Sequence, residues 1–292
     1  MLKVTRRSFD FTDSPKYYFA NNQLVTQLFN ALSATFPRGE QFFVDSVRAF
    51  RDKLPRTHEL QKDISGFIGQ EAMHSLAHKQ FNAYCDFHGI PLLSVEKGVG
   101  KLLELVKKTL PPRLQLAATV CLEHYTAIMA GQLLMEEMFN EEIRGELREL
   151  WMWHAKEEVA HAHVAWDLYH MPEVGGNYAE RVAMMLLTSV VFIVAVAHLT
   201  HILVAKDGFK RVDFVPGLKY LVGKRGFFTT LIPDYLLFFK PGFHPNQHTR
   251  GVLRAIENTE NDRCEPAVAE PEVVPESASK PRKPRKPKAA VK

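Results

Sequence analysis

Two short runs carry the chemistry most easily read from this sequence. Residues 70–74 read QEAMH and residues 157–161 read EEVAH, so Glu71/His74 and Glu158/His161 each form a Glu-x-x-His pair. On an α-helix a spacing of three places both side chains on one face. Two such helices packed antiparallel can turn two carboxylates and two imidazoles toward a shared point. Four-helix carboxylate proteins build dinuclear iron or manganese sites in this way, with one further Glu from each of the other two helices. Glu123, in CLEHYTA, and Glu40, in FPRGEQFF, supply those two. The separations along the chain, 31, 52 and 35 residues, each leave room for a helix and a turn.

The neighbours of these residues extend the set. His154, Glu158 and His161 share one stripe of the run WHAKEEVAH, so His154 is expected to add a third nitrogen ligand one turn before Glu158. Gln70 and Glu157 each directly precede a Glu-x-x-His. They are expected to hydrogen-bond the histidine of the opposite helix and fix its tautomer. His78 shares the face of His74 and is either a further supporting group or a core histidine. His124 points about 100° away from Glu123 and is read as structural, and His163 points about 200° away from His161 and is not read as a ligand. Glu40 is the weakest member. If Pro37 opens its helix, Glu40 falls in the first turn, where the macrodipole alone favours a Glu, and Asp45 stands nearby as a substitute.

A single Glu-x-x-His is common on surface helices. Two of them interleaved with two helical glutamates in the right order make a stronger case. A carboxylate buried alone is costly, and shared cations resolve that cost for all four together. Imidazole with carboxylate suits iron, manganese or zinc better than calcium, which prefers oxygen alone. The expected cofactor is two metal ions, iron first, with manganese or zinc as alternatives.

Helices must position these residues, and helical signals fill the chain from about residue 20 to 206. Pro37 is expected to open a helix ending near Pro55. Thr57 is expected to cap a second helix, closed by His88-Gly89. A shorter amphipathic helix follows. Pro111-Pro112 restart the chain into a helix to about Asn140, and further helices cover roughly 143–170 and 178–206. Gly- and Pro-punctuated aromatic segments continue to Arg250. Residues 1–250 read as the metal-binding helical domain. Residues 251–292 read as a linker and a tail, disordered by composition, whose last 28 residues hold six prolines.

The blocks FPRGEQFF, FIGQEAMHSLAH, LEHYTA and WMWHAKEEVAHAHVAWDLY resemble those of a bacterial family of predicted metal-dependent hydrolases, over roughly residues 5–250. The ligand order is also similar to that of ferritin-like di-iron arylamine N-oxygenases, which likewise add a histidine one turn before the last Glu. That similarity implies iron at Glu40, Glu71, His74, Glu123, His154, Glu158 and His161. It does not carry over a substrate, because a fold and a metal site do not fix function. The expected architecture is all-α: a ferritin-like helical bundle with a dinuclear metal site and extra C-terminal helices.

The remaining composition narrows the function. The net charge is +4, and the last 28 residues contribute +3 of it through seven Lys/Arg against four Glu. A nearly neutral body gives no case for specific nucleic-acid binding. Cys85, Cys121 and Cys264 are odd in number and widely spaced, and there is no secretory signal, so a reducing, cytoplasmic setting is expected. Residues 182–205 contain no formal charge and are long enough to cross a bilayer. The favoured reading is a buried helix walling an apolar substrate pocket, with His198 and His201 facing that pocket. Membrane association is the alternative, and an exposed apolar helix would favour a homodimer. Together these features predict a dinuclear-metal, di-iron oxidase or oxygenase acting with an electron donor on a small apolar or acyl-chain substrate. A hydrolase using a metal-bridging hydroxide, and a non-catalytic membrane-associated protein with a structural metal, are the competing readings.

Overall fold

Asn22 opens the first helix: its side chain accepts a hydrogen bond from the Val25 N–H at 3.1 Å, which satisfies one of the free donors at a helix N-terminus. The computed structural model describes residues 2–247, 249 and 251–254. From Asn22, α1 runs over Gln23–Arg51. Pro37 therefore lies inside the helix and does not start it. A proline there removes the N–H that would bond the Ser33 carbonyl one turn back. Asn82 supplies the missing donor, its Nδ2 reaching Ser33 O at 3.3 Å. Glu40 is consequently mid-helix, and the macrodipole does not account for it.

The second helix, α2, spans Leu60–Phe87. Its capping contact comes from His58, not Thr57, whose ring Nδ1 accepts from the Leu60 N–H at 3.2 Å. Next come α3 (Leu92–Thr109) and α4 (Pro112–Met135), with Pro112 at the first helical position, where its missing N–H costs nothing. The helix expected to reach Asn140 breaks at Glu136, whose extended backbone precedes the single-turn α5 (Glu137–Asn140). That break turns Phe139 into an aromatic cluster with Tyr220 and Phe227. Gly145, at φ +66°, makes the turn into α6 (Glu146–His161) in a backbone region that favours glycine. A turn at residues 162–163 separates α6 from α7 (Val164–His170), so the helix expected over 143–170 is two. After α8 (Tyr178–Asp207), capped by Asn177, come α9 (Arg211–Val222) and α10 (Ile232–Leu237).

The architecture is all-α. Among the described residues there is no strand, only an isolated bridge between Phe19 and Ile143. α1 packs on α2 and α4, and α6 packs on α4 and α2, closing a ring of four helices. The interior divides into two apolar clusters, one around Phe29, Leu32, Phe81 and Trp151, the other around Phe43, Phe67, Leu116 and Trp166. Each of α1, α2 and α4 passes from one cluster to the other, and the crossings fall at Glu40, at Glu71/His74 and at Glu123. The α6–α7 segment makes the same crossing at His161.

α8 departs from the expectation of a helix buried on every side. One face, with Met184, Met185, Thr188, Val196 and Leu203, packs on α1 and α4. The opposite face is open: Leu186, Val190, Ile193 and Val194 are 55–63% exposed. The cause is geometric, since the ring offers α8 only the groove between α1 and α4. His198 lies on the open side and lines none of the cavities described below, whereas His201 lines the largest of them, near its rim. Cys85 and Cys121 are buried free thiols. Cys264 and most of the expected linker and tail lie outside the described residues.

Candidate metal centre

The helical spacings that put Glu71 with His74 and Glu158 with His161 on common faces also aim both pairs into the ring. Glu40 from α1 and Glu123 from α4 meet them there, with His154 one turn up α6. All seven residues are buried, at 4% exposure or less. His161 Nε2 lies 3.1 Å from Glu71, 3.4 Å from Glu123 and 3.6 Å from Glu158. His74 Nδ1 lies 3.8 Å from Glu71 and 3.6 Å from Glu158. His154 Nε2 lies 2.8 Å from Glu158 and 3.7 Å from Glu40. Three overlapping sets have ligand atoms close enough to hold a cation: Glu40/His74/His154, Glu71/Glu123/His161 and Glu71/His74/Glu158. Asp45 is not among them; its carboxylate faces outward to Lys107 at 2.6 Å.

The outer nitrogens of the three histidines decide what the inner ones can do. His161 Nδ1 lies 3.0 Å from Gln70 Oε1, and the Gln70 amide is oriented by its Nε2 donating to the Lys3 carbonyl at 3.1 Å. The acceptor Oε1 therefore requires a proton on Nδ1, which leaves Nε2 as an inward lone pair. His74 Nε2 donates to Glu157 at 3.1 Å, leaving Nδ1 inward. Glu157 is held in turn by Trp153 Nε1 at 2.9 Å and by the Thr5 hydroxyl.

His154 ends a longer chain. The Asn82 amide faces Ser33 O and Glu96, so its Oδ1 accepts from the Ser33 hydroxyl at 2.8 Å. Ser33 Oγ can then only accept from His78 Nδ1, also at 2.8 Å. His78 Nε2 must accept from His154 Nδ1 at 2.8 Å, and His154 Nε2 points inward unprotonated. In their neutral form all three imidazoles thus present a lone pair to the interior, the form in which histidine binds a metal.

His154 Nε2 meets Glu158 Oε1 at 2.8 Å, but among the described residues nothing answers most of the other inward atoms with hydrogen-bond geometry. Both carboxylate oxygens of Glu40, Glu71 and Glu123, one of Glu158, His74 Nδ1 and His161 Nε2 are buried without a hydrogen-bond partner. Buried polar atoms are almost always paired, so nine orphans around one point fit a cationic group. The charges are strained in keeping with this. Burial, reinforced by Glu71 and Glu158, pushes the Glu40 carboxyl well up; burial does the same to Glu123. For Glu71 and Glu158 burial acts upward too, but His161 outweighs it and holds both below the usual range. Burial lowers His161, yet Glu123, Glu158 and Glu71 raise it well above an ordinary histidine. Burial pushes His78 and His154 down.

Thr5, Trp153, Ser33 and Asn82 are the participants that spacing alone did not reveal. Trp153 carried a signal, standing four residues from its partner Glu157 on the same helix, and Asn82 stands one turn from His78, to which it is linked through Ser33. The N-terminal segment carried none. It crosses α2 at Gly66 and Gly69, where an added Cβ would stand 2.6 Å from Leu2 and 2.5 Å from Val4. This close approach places Lys3 O and Thr5 over the seam of α2 and α6. His124 packs against Phe238 and Phe243 away from the cluster, and His163 faces Asp63 at 3.9 Å.

An all-α protein with a buried Glu/His cluster able to hold metal is what fold and site define together. The chain belongs to the family described as predicted metal-dependent hydrolase, which matches residues 3–249. Neither a curated protein nor a solved structure matches it significantly.

Proposed function

We propose that the chain is a dinuclear metal enzyme, loaded with iron, that oxidises an apolar organic substrate with dioxygen. The observation that carries this reading is the set of nine orphaned carboxylate and imidazole atoms converging from four helices. Glu40, His74 and His154 would hold one ion and Glu71, Glu123 and His161 the other, with Glu158 within reach of both. Two redox-active ions bound there would supply the electrons that dioxygen needs.

The chain's own residues supply the rest. Gln70, Glu157 and His78 keep the three imidazoles in the ligating tautomer. A small cavity of about 40 Å³ touches His154 and Glu158 and is otherwise walled by groups such as Leu32, Phe36, Met129 and Phe227. Such walls exclude water, and a space of this size suits dioxygen or an apolar group of a few atoms. A hydrolase also has to orient a carbonyl and protonate a leaving group. The other polar side chains at this cavity are Thr126, whose hydroxyl donates to its own helix, and the Trp151 indole. This supports oxidation over hydrolysis, although the family's description favours the second reading, a metal-dependent hydrolase.

Metal analysis of protein purified from iron-supplemented cells, followed by anaerobic reduction and exposure to oxygen, tests the choice. About two irons per chain with oxygen consumption that depends on the reduced metal is the expected result. Zinc-loaded protein that cleaves apolar esters, with iron-loaded protein inert to oxygen, would establish the hydrolase instead.

A further inference from the structure

The open face of α8 does not end with that helix. Ile193 on α8, Phe209 after it, Phe214, Leu218 and Val222 on α9 and Ile232 on α10 are all exposed, and all line one apolar cavity of about 850 Å³. The exposed apolar sides of three helices therefore share one mouth. A second cavity, of about 170 Å³, lies between α3 and α8. It is lined at the surface by Leu102, Leu187 and Val191 and at its inner end by Glu40. The apolar face and the metal centre border the same space.

The charges around this face are mainly positive, with the half-buried Asp234 on α10 an acid among them. Residues 182–205 carry none. Lys206, Lys210, Arg211, Lys219, Lys224 and Arg225 follow, all exposed. The acids of that stretch turn inward: Asp207 accepts from Gln23 and Gln27 and pairs with Lys16, and Asp213 accepts from the Gln23 N–H. An apolar surface rimmed by exposed cations, of which Lys210 also lies over the Tyr17 ring at 4.2 Å, complements an anionic lipid surface.

The arrangement fits a helix lying in the interface better than one crossing it. α8 has the length and hydropathy to span, yet its inner face is packed on α1 and α4. Spanning would carry those helices into hydrocarbon with it. Arg181, at the start of α8, is buried beneath Trp166 and Phe238 at 4.5 and 5.0 Å, out of reach of headgroups.

We propose that α8, α9 and α10 form a docking face for anionic bilayers, and that an acyl-chain substrate passes from the bilayer through the α3–α8 cavity toward Glu40. The docking face stands on its own; the route rests on the oxidase reading above.

Flotation of the full-length chain with vesicles of phosphatidylcholine, with and without phosphatidylglycerol, tests it. The parent should float with the phosphatidylglycerol vesicles. Val190→Asp/Val194→Asp should lose about tenfold or more in partition, as should Lys210→Glu/Arg211→Glu. Val212→Asp, at a position 80% exposed, provides a variant whose folding the change barely touches, and it should weaken flotation as well. A parent that stays unbound with both vesicle types overturns the proposal, as does flotation indifferent to all these variants. A dimer in sedimentation that Val194→Asp dissociates would overturn it too, by assigning the face to a second copy. Metal content read from the same samples separates the two ideas: flotation without metal sinks the oxidase and spares the docking face, and metal without flotation does the reverse.

Discussion

The waist of the four-helix ring and the outer face of α8 invert the usual order in opposite directions. At the waist, four carboxylates and three imidazoles are almost wholly shielded from solvent. On α8, valine, leucine and isoleucine side chains stand more than half exposed. Each arrangement is costly in isolation. Buried charge loses hydration, and a broad exposed apolar surface favours association with something else. On the readings proposed above, each region is built for a component the chain does not encode, a cation inside and an apolar phase outside. The two differ in precision. The waist is held by directional hydrogen bonds to every imidazole, so small errors matter there. The outer face is defined by area alone, and single changes are tolerated.

The largest effect should come from removing a group of the waist. Glu123→Ala or His161→Ala should abolish most metal binding while the far-ultraviolet spectrum stays helical. Full metal content in both variants would mean the orphaned atoms are not ligands. Next, stripping metal from the parent with a chelator should lower the melting temperature by roughly 5–10 °C, the shift expected when a ligand near a hundred times its Kd is withdrawn from a domain of this size. An unchanged melting curve would break the comparison at its inner half.

The supporting hydrogen bonds come third. Gln70→Ala, Glu157→Ala or His78→Leu should weaken metal affinity by about 10- to 100-fold, the cost usual for groups that orient a ligating histidine. Metal titrations identical to the parent would reduce these contacts to packing.

The pH dependence has a defined sign. Glu40, Glu123 and His161 hold their protons to higher pH in the metal-free fold than in the unfolded chain. The stability they contribute is thus complete at low pH and is lost as pH rises through their raised pKa values. Bound cations displace those protons, so metal affinity should climb with pH, by about tenfold per unit for each proton released. Proton release measured in weakly buffered solution checks this, and none would be the contrary result. The smallest effect belongs to the outer face. Leu186→Lys should raise solubility and change neither metal content nor melting temperature by more than a degree or so, within the range of surface substitutions.

The legible part of this protein was the part set by helix geometry. Because helical side chains repeat at fixed angles, Glu71 with His74, and His154 with Glu158 and His161, had to share faces wherever their helices went. The same regularity placed Gln70 and Glu157 on the neighbouring flank, next to the partner helix. Pro37 was misleading because its cost is set by whether another group satisfies Ser33 O, and that group, Asn82, arrives from a different helix. The crossing of Leu2 and Val4 over Gly66 and Gly69 left no trace in local pattern, since it is a fit between surfaces distant in sequence.

The apolar run at 182–205 shows where such reasoning stops. Composition determined that this helix could not be an ordinary solvated one. It could not determine which side would be covered, because coverage depends on how many neighbours the ring supplies. What the sequence settled alone was helical class and the angular order of the polar residues, both consequences of backbone periodicity. Only the tertiary structure decided that those residues meet at one point without partners, that a proline sits in mid-helix, and that half of α8 faces outward. Those outcomes arise from contacts between segments far apart in the chain, and the closure of four helices into a ring selects them.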